Sequence, residues 1–363
     1  IRRCGILKRM FERLANEEKA DYNLFRRRKM KIALDAMGGD HAPAEIIKGT
    51  VEMLTRRDDF SVILTGPEAV IRAELEKYPY PHERTEIVDA PELISMDEHP
   101  VEAIRKKRNS SMVVGQLMLK EKKGDAFITC GSTGACLACA QLRVGRIKGI
   151  LRPALAPVLP NKNKGALLID CGANMDCKPM NLAQFAVMGS IYMEKVVGVE
   201  NPRVGLASVG VEDGKGNELS KAAFALIKEQ NLVNFIGNAE GRDIVDRVDV
   251  MVADGFVGNL MLKSIEGLGG YLFDKMKTSF TASFRSKIGA QLLRPALRDL
   301  KKSLDYNAYG GAPLLGIDGV VIKGHGSSTA KTMCATIAQA ITMVQTDIVG
   351  IIKENIPAMT AQE

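Results

Sequence analysis

Short apolar runs alternate with helix-length amphipathic stretches along nearly the whole chain, and many of the runs close on Gly, Asp, Asn or Ser just before the next helix begins. That alternation is the pattern of parallel strands joined by helical crossovers, because strands covered by helices on both faces read as continuous apolar segments. The spacing predicts strands at Lys31–Leu34, Phe60–Thr65, Thr85–Val88, Ala126–Cys130, Ala166–Asp170, Arg203–Val209, Val233–Ile236, Val248–Ala253 and Val320–Lys323. The expected class is therefore α/β with a mostly parallel sheet.

In such a sheet, ligands collect at the carboxyl ends of the strands. Five polar, glycine-rich loops fall there: DAMGGD, TCGSTGA, DCGANMD, SVGVEDGKGNE and ADGFVGN. In the first, Gly38 and Gly39 let the backbone turn sharply and let a ligand approach, Asp40 and His41 supply polar contacts, and Pro43 suits the start of a helix. GSTGA (Gly131, Ser132, Thr133) and GHGSS (His325, Gly326, Ser327, Ser328) have the size of phosphate cradles, with hydroxyls beside backbone N–H groups at a helix start. The same serines would serve as ordinary helix caps. Lys178 and Lys215 sit in glycine-containing loops where an ammonium can reach an anion, although lysines are commonly just solvated. Asn174, Asn217 and Asn259 are neutral donors able to hold a carbonyl or phosphate oxygen, or to close turns. Asp176 and Asp254 could orient a lysine or cap a helix.

Several function classes are disfavoured. There is no GxxxxGK[ST], no strand-linked GxGxxG with an acid about twenty residues on, and no GxSxG. These absences count against kinase, dehydrogenase and serine-hydrolase readings, and a covalent intermediate is not expected. Seven cysteines, an odd number scattered over 363 residues, fit a reducing compartment. Cys136 and Cys139 form a CxxC without a second pair at zinc spacing, so no metal is expected. With no membrane-length apolar run and no secretory pattern, the expected location is cytoplasmic. The net charge of +7 suggests nucleic acid only superficially. Residues 1–29 carry ten Lys/Arg against four Asp/Glu, leaving 40 basic and 39 acidic side chains in the rest. The body is close to neutral, and the basic leader reads as a solvated, poorly ordered extension.

Two regions interrupt the alternation. RPALAPVLPNKNKG, residues 152–165, is rich in Pro and polar residues and could mark a subdomain junction or an extended connection. From Asp274 to Asp305, apolar residues recur at helical spacing with Pro295 between them, which predicts a helical hairpin. From Lys275 to Lys302 it holds eight Lys/Arg and one acid, Asp299. Lys275, Lys277, Arg285, Lys287, Arg294 and Arg298 could therefore meet an acidic protein or a membrane surface, or simply flank a dimer contact.

From Met30 to about Lys353 the chain resembles the phosphate acyltransferase family PlsX of bacterial phospholipid synthesis. The resemblance rests on DAMGGDHAP, RPALAPVLP, DCGANMDCKP followed by LAQFAVMGS, NPRVGL, GKGNEL, NFIGNAEGRDI, DGFVGN and YGGAPLLGIDGVVIKGHGSS. It implies a three-layer α/β/α, Rossmann-like fold similar to the isocitrate and isopropylmalate dehydrogenases, with a protruding helical hairpin. On this resemblance residues 30–355 would form one catalytic domain, followed by a tail at 356–363. It implies transfer of a long-chain acyl group from acyl carrier protein to inorganic phosphate, with no cofactor. The implied partners are a second copy of the chain, the membrane's inner face and the glycerol-3-phosphate acyltransferase PlsY. Lys215 and Asn259, on the KGN and GN motifs, would stabilise charge and orient the carbonyl; GSTGA, Asn174, Lys178 and GHGSS would complete the pocket. Ser132 stands where the family pattern leads one to expect asparagine. A phosphotransacylase acting on acyl coenzyme A is the alternative.

Overall fold

The computed structural model describes residues 29–304 and 306–356. Its strands are β1 (Met30–Asp35), β2 (Phe60–Gly66), β3 (Thr85–Asp89), β4 (Ala126–Thr129), β5 (Ala154–Leu155), β6 (Val158–Leu159), β7 (Ala166–Ile169), β8 (Val204–Ala207), β9 (Phe235–Ala239), β10 (Val250–Val252), β11 (Ala312–Leu315) and β12 (Val320–Lys323). They divide between two sheets. One has the order β3-β2-β1-β4-β12-β11-β5, the other β6-β7-β10-β8-β9. Pairing is parallel except where β11 meets β12 and β5, and where β6 meets β7.

The sequence dictates most of this locally. The central strands AFIT (β4), ALLI (β7) and VMV (β10) are buried at every position, as strands covered on both faces must be. β3 is an edge strand and carries Glu86 and Asp89, whose charges discourage pairing with another chain. The helix Ala44–Arg56 turns Ile46, Ile47, Val51, Met53 and Leu54 inward and keeps Glu45 in its first turn and Arg56 in its last, matching the helix dipole. Phe60, Phe127, Phe185 and Tyr192 are fully buried; truncating any of these phenylalanines to alanine would cost about 3–5 kcal/mol. The Tyr192 hydroxyl is not left unsatisfied, because Gln339 Nε2 donates to it at 2.8 Å.

All nine predicted strands are present, with β9 shifted two residues towards the C-terminus. The three not predicted, β5, β6 and β11, are at most four residues long, and prolines lie within or between them. β5 belongs to the first sheet and β6 to the second, so the chain changes sheets across Ala156 and Pro157. The basic hairpin differs from expectation in extent. A helix runs Gly255–Thr281, a second (Phe284–Leu292) packs back on it, and a third spans Arg294–Ser303. Pro295 lies in the first turn of that third helix, where a missing N–H leaves no bond unmade. Among the described residues no single helix is long and apolar enough to cross a membrane. The helices Ala330–Gln345 and Ile348–Asn355 reach that composition only as a bent pair, and the first is largely buried in the core. Residues 1–28 and 357–363, on which the leader and tail expectations rest, lie outside the described residues.

Candidate active site

β1, β4 and β12 run parallel side by side, so their carboxyl ends open on one edge of the first sheet. The loops that leave them are tied to one another. Asp40 N–H donates to the Gly326 carbonyl at 2.8 Å, and Gly324 N–H to the Thr129 carbonyl at 2.8 Å. Gly39 makes the first contact possible, since its φ is +104° and a Cβ there would lie 2.9 Å from the Gly326 oxygen. At the base of these loops Asp35 is buried. Its carboxylate accepts from Thr129 Oγ1 at 2.7 Å and from Met37 N–H at 3.1 Å. Burial raises its pKa above the ordinary aspartate value, and those hydrogen bonds act in the opposite direction.

The second sheet presents its own pair of carboxyl ends. Asp170, at the end of β7, accepts from the N–H groups of Leu155, Ala173 and Asn174 and from Asn174 Nδ2 at 2.7–3.2 Å. Full burial nevertheless pushes its pKa up to about 6. Beyond β10, Asp254 caps the helix Gly255–Thr281 by accepting from Val257 N–H at 2.8 Å. The first turn of that helix lies against the β7 loop: Gly255 N–H donates to the Asn174 carbonyl at 2.7 Å. At Gly258 a Cβ would stand 1.8 Å from the Asp170 carbonyl oxygen, so only glycine fits there.

Between the two sets of loops lies a cleft of about 340 Å³. Thr133, Lys323 and His325 reach it from the first sheet, Asn259 and Gly172 from the second. Much of the remaining lining is apolar, with Leu137, Leu155, Val158, Leu159, Met175 and Leu262, and it also includes the ion pair of Lys263 with Glu266 at 2.8 Å. Both passages of the chain between the sheets line it, at Pro157 and at Gly310–Gly311. A space lined by a few polar groups among mostly apolar side chains can hold an anion and a carbonyl beside an aliphatic chain.

The remaining candidate residues are distributed more widely than a single pocket. Gly38, Gly39, Asp40 and Gly131 line a second cleft of about 310 Å³ on the other side of the β1 loop. Asn217 and Asp254 line a third of about 320 Å³, where Asn217 caps the helix Glu218–Gln230 through Ser220 N–H at 2.8 Å. Lys215 is exposed on the loop after β8, outside the lining of these three clefts. Asn174 is buried, and its amide is used internally, on Asp170 and on the Pro153 carbonyl at 2.7 Å. Ser132 caps the helix Thr133–Cys139, accepting from Ala135 N–H at 3.4 Å. Ser328 Oγ donates to the His325 carbonyl at 2.6 Å, and Ser327 Oγ lies 2.8 Å from His325 Nδ1. His41, Asp176 and Lys178 are exposed, as are Lys275, Lys277, Arg285, Lys287, Arg294 and Arg298 on the three long helices.

Among the cleft residues outside the candidate set, Lys323 stands out by its burial. Lys323 is only 8% exposed, and its Nζ donates to the carbonyl oxygens of Cys130, at 3.4 Å, and Gly324. Burial lowers its pKa below that of an ordinary lysine. The signal in the sequence was its position, a single charge closing the apolar run Val320–Ile322 directly before GHGSS.

A family model described as "Fatty acid synthesis protein" matches residues 30–350. The phosphate acyltransferase of Clostridium novyi is 49% identical over 328 residues, covering 90% of this chain and 98% of that protein. That of Halothermothrix orenii is 49% identical over 329 residues, with the same coverage. Among solved structures, a phosphotransacetylase from Streptococcus pyogenes superposes with a TM-score of 0.57 at 18% identity, over 90% of this chain and 98% of that one. The EutD phosphotransacetylase of Staphylococcus aureus gives 0.56 at 16% identity, with the same coverage. At such identities the likeness concerns the fold.

Proposed function

This chain belongs to the phosphate acyltransferase family PlsX and is an acyltransferase with phosphate as acceptor, and from that premise we propose that its donor is the thioester of a long-chain fatty acid on acyl carrier protein. The observation that carries the reading is the cleft between the sheets, lined by Thr133, Asn259, Lys323 and His325 among mostly apolar side chains. In this reaction a phosphate oxygen attacks the thioester carbonyl carbon. The carbonyl oxygen becomes an oxyanion, the C–S bond breaks, and the carrier thiolate leaves and takes up a proton, giving acyl phosphate. Phosphate is already anionic near neutral pH, so the protein's task is to position it and to stabilise the oxyanion. The Asn259 amide, which lines the cleft, is suited to orienting the carbonyl. Lys215, exposed on the loop after β8, supplies positive charge on this reading.

Direct attack is favoured over an acylated enzyme by the state of the thiols. Burial raises the pKa of all six described cysteines, to about 12 at Cys136 and Cys139 and about 11 at Cys177 and Cys334. A thiol so shifted is a poor nucleophile at neutral pH.

The three long helices supply the remaining partners on this proposal. Phe256, Leu260, Leu268, Leu272, Phe284 and Leu292 are each more than half exposed there, beside the row of Lys and Arg. Apolar surface of that extent suits a second copy of the chain and the inner face of the membrane, while the basic row suits an acidic carrier protein. The acyl phosphate would then be passed to PlsY. Residues 30–355 act as one catalytic unit on this reading, with residues 1–29 and 356–363 outside it.

The test is an acyl phosphate assay with matched acyl carrier protein and acyl coenzyme A donors, with phosphate supplied and withheld. Product formed only with phosphate and preferentially from the carrier-protein donor supports the proposal. Efficient use of the coenzyme A donor alone, or release of carrier thiol without phosphate through a stable acylated side chain, defeats it.

A further inference from the structure

A lysine taken out of water needs a compensating partner, since burying an uncompensated charge is costly. Lys323 is more than nine-tenths buried, yet its hydrogen-bond partners are two neutral backbone carbonyls, of Cys130 and Gly324. Asp35 is buried nearby, but its carboxylate oxygens are engaged by Thr129 and Met37. Lys323 lines the 340 Å³ cleft together with Thr133, Asn259 and His325. It is held there firmly, because β12 lies between β4 and β11 and the following Gly324 is hydrogen-bonded to Thr129.

We propose that Lys323 is the fixed cation that binds the attacking phosphate, placing a tetrahedral dianion beside the carbonyl held by Asn259. The inference rests on the acyl-transfer reading for the identity of the anion. It separates two roles: Lys323 holds the nucleophile, whereas Asn259 acts on the acyl donor. An ammonium gripping a doubly charged oxyanion forms charge-assisted hydrogen bonds and cannot be replaced by a neutral side chain of similar length.

The experiment compares the parent enzyme with Lys323→Met and Lys323→Arg. Removing a buried charge in favour of an apolar chain of similar volume is compatible with folding, and melting without ligand checks this. In Lys323→Met, the KM for phosphate is expected to rise roughly tenfold to a hundredfold, with the KM for the acyl donor unchanged. A second arm omits the acyl donor: inorganic phosphate raises the Tm of the parent and not that of Lys323→Met, with Lys323→Arg keeping part of the shift. If the methionine variant does not fold, Lys323→Arg alone is read for a phosphate-specific rise in KM. An unchanged phosphate KM and an undiminished phosphate-induced Tm shift in a folded variant overturn the proposal. So does a loss of kcat with both phosphate measures intact. Because the thermal arm uses no acyl donor, it judges the anchor separately from the acyl-transfer reading, which fails if the parent forms no acyl phosphate from either donor.

Discussion

The backbone N–H of Asp40 donates to the carbonyl oxygen of Gly326 at 2.8 Å, joining the first strand-to-helix loop of the chain to the last. The two loops leave β1 and β12, which are separated in the sheet by β4 alone. Three loop tips are thus braced by backbone bonds before any ligand arrives, which is the kind of preorganisation an anion-handling site needs.

Gly39→Ala should break that brace. The residue has φ +104°, and its Cβ would meet the Gly326 oxygen at 2.9 Å and Cys130 Cβ at 3.0 Å. Strain and overlap together are expected to cost about 1–3 kcal/mol. Thermal melting should show the loss, and the KM for phosphate should rise more than the KM for the acyl donor.

Asp170 makes stability depend on pH in a defined direction. Its folded pKa, about 6, lies above the ordinary 3.8, so the folded state holds the proton more tightly than the unfolded one. The resulting stabilisation is complete below the unfolded value and is lost as pH rises through the folded value. Against Asp170→Asn, which cannot ionise, the parent should lose about 3 kcal/mol of relative stability between roughly pH 4 and pH 6, and nothing more above that. Denaturant unfolding at a series of pH values measures it. The variant should also lose hydrogen bonds, because its amide nitrogen would face either the N–H donors of Leu155 and Ala173 or those of Asn174, depending on which oxygen it replaces.

Asn259→Ala should leave the fold untouched and slow the reaction. The side chain lies over Gly172, 3.6 Å from where a Cβ would be, and faces the cleft. A loss of about a hundredfold in kcat with unchanged Tm is expected for a removed carbonyl donor. Lys215→Ala should likewise melt as the parent does, since Lys215 is exposed, while acyl phosphate formation falls. Full activity in both variants would remove these residues from the mechanism.

Alkylation provides an independent check on the thiols. Cys136 and Cys139, buried and shifted to about 12, should resist iodoacetamide at pH 8 in the folded protein and react once it is unfolded. Mass spectrometry of enzyme quenched during turnover should find no acyl group on any described cysteine.

The strand-to-helix turns were legible because their chemistry is local: an apolar run, a glycine that must turn, a cap. β5 and β6 were not, since two-residue strands flanked by Pro153, Pro157 and Pro160 owe their existence to the neighbours they pair with. The long helix was recognised only from Asp274 because its first turns, at Gly255 and Gly258, look like a flexible loop; those glycines are there to let the helix press on Asp170 and Asn174. Lys323 escaped notice for a related reason. A lysine ending a strand reads as a residue reaching for bulk water, and only the loops folded over it from Cys130 and Gly324 show it held beside the cleft instead.

The backbone leaves the first sheet through Pro157 and re-enters it through Gly310–Gly311, and both points line the cleft. A ligand filling the cleft therefore bears on both ends of the segment that carries the second sheet.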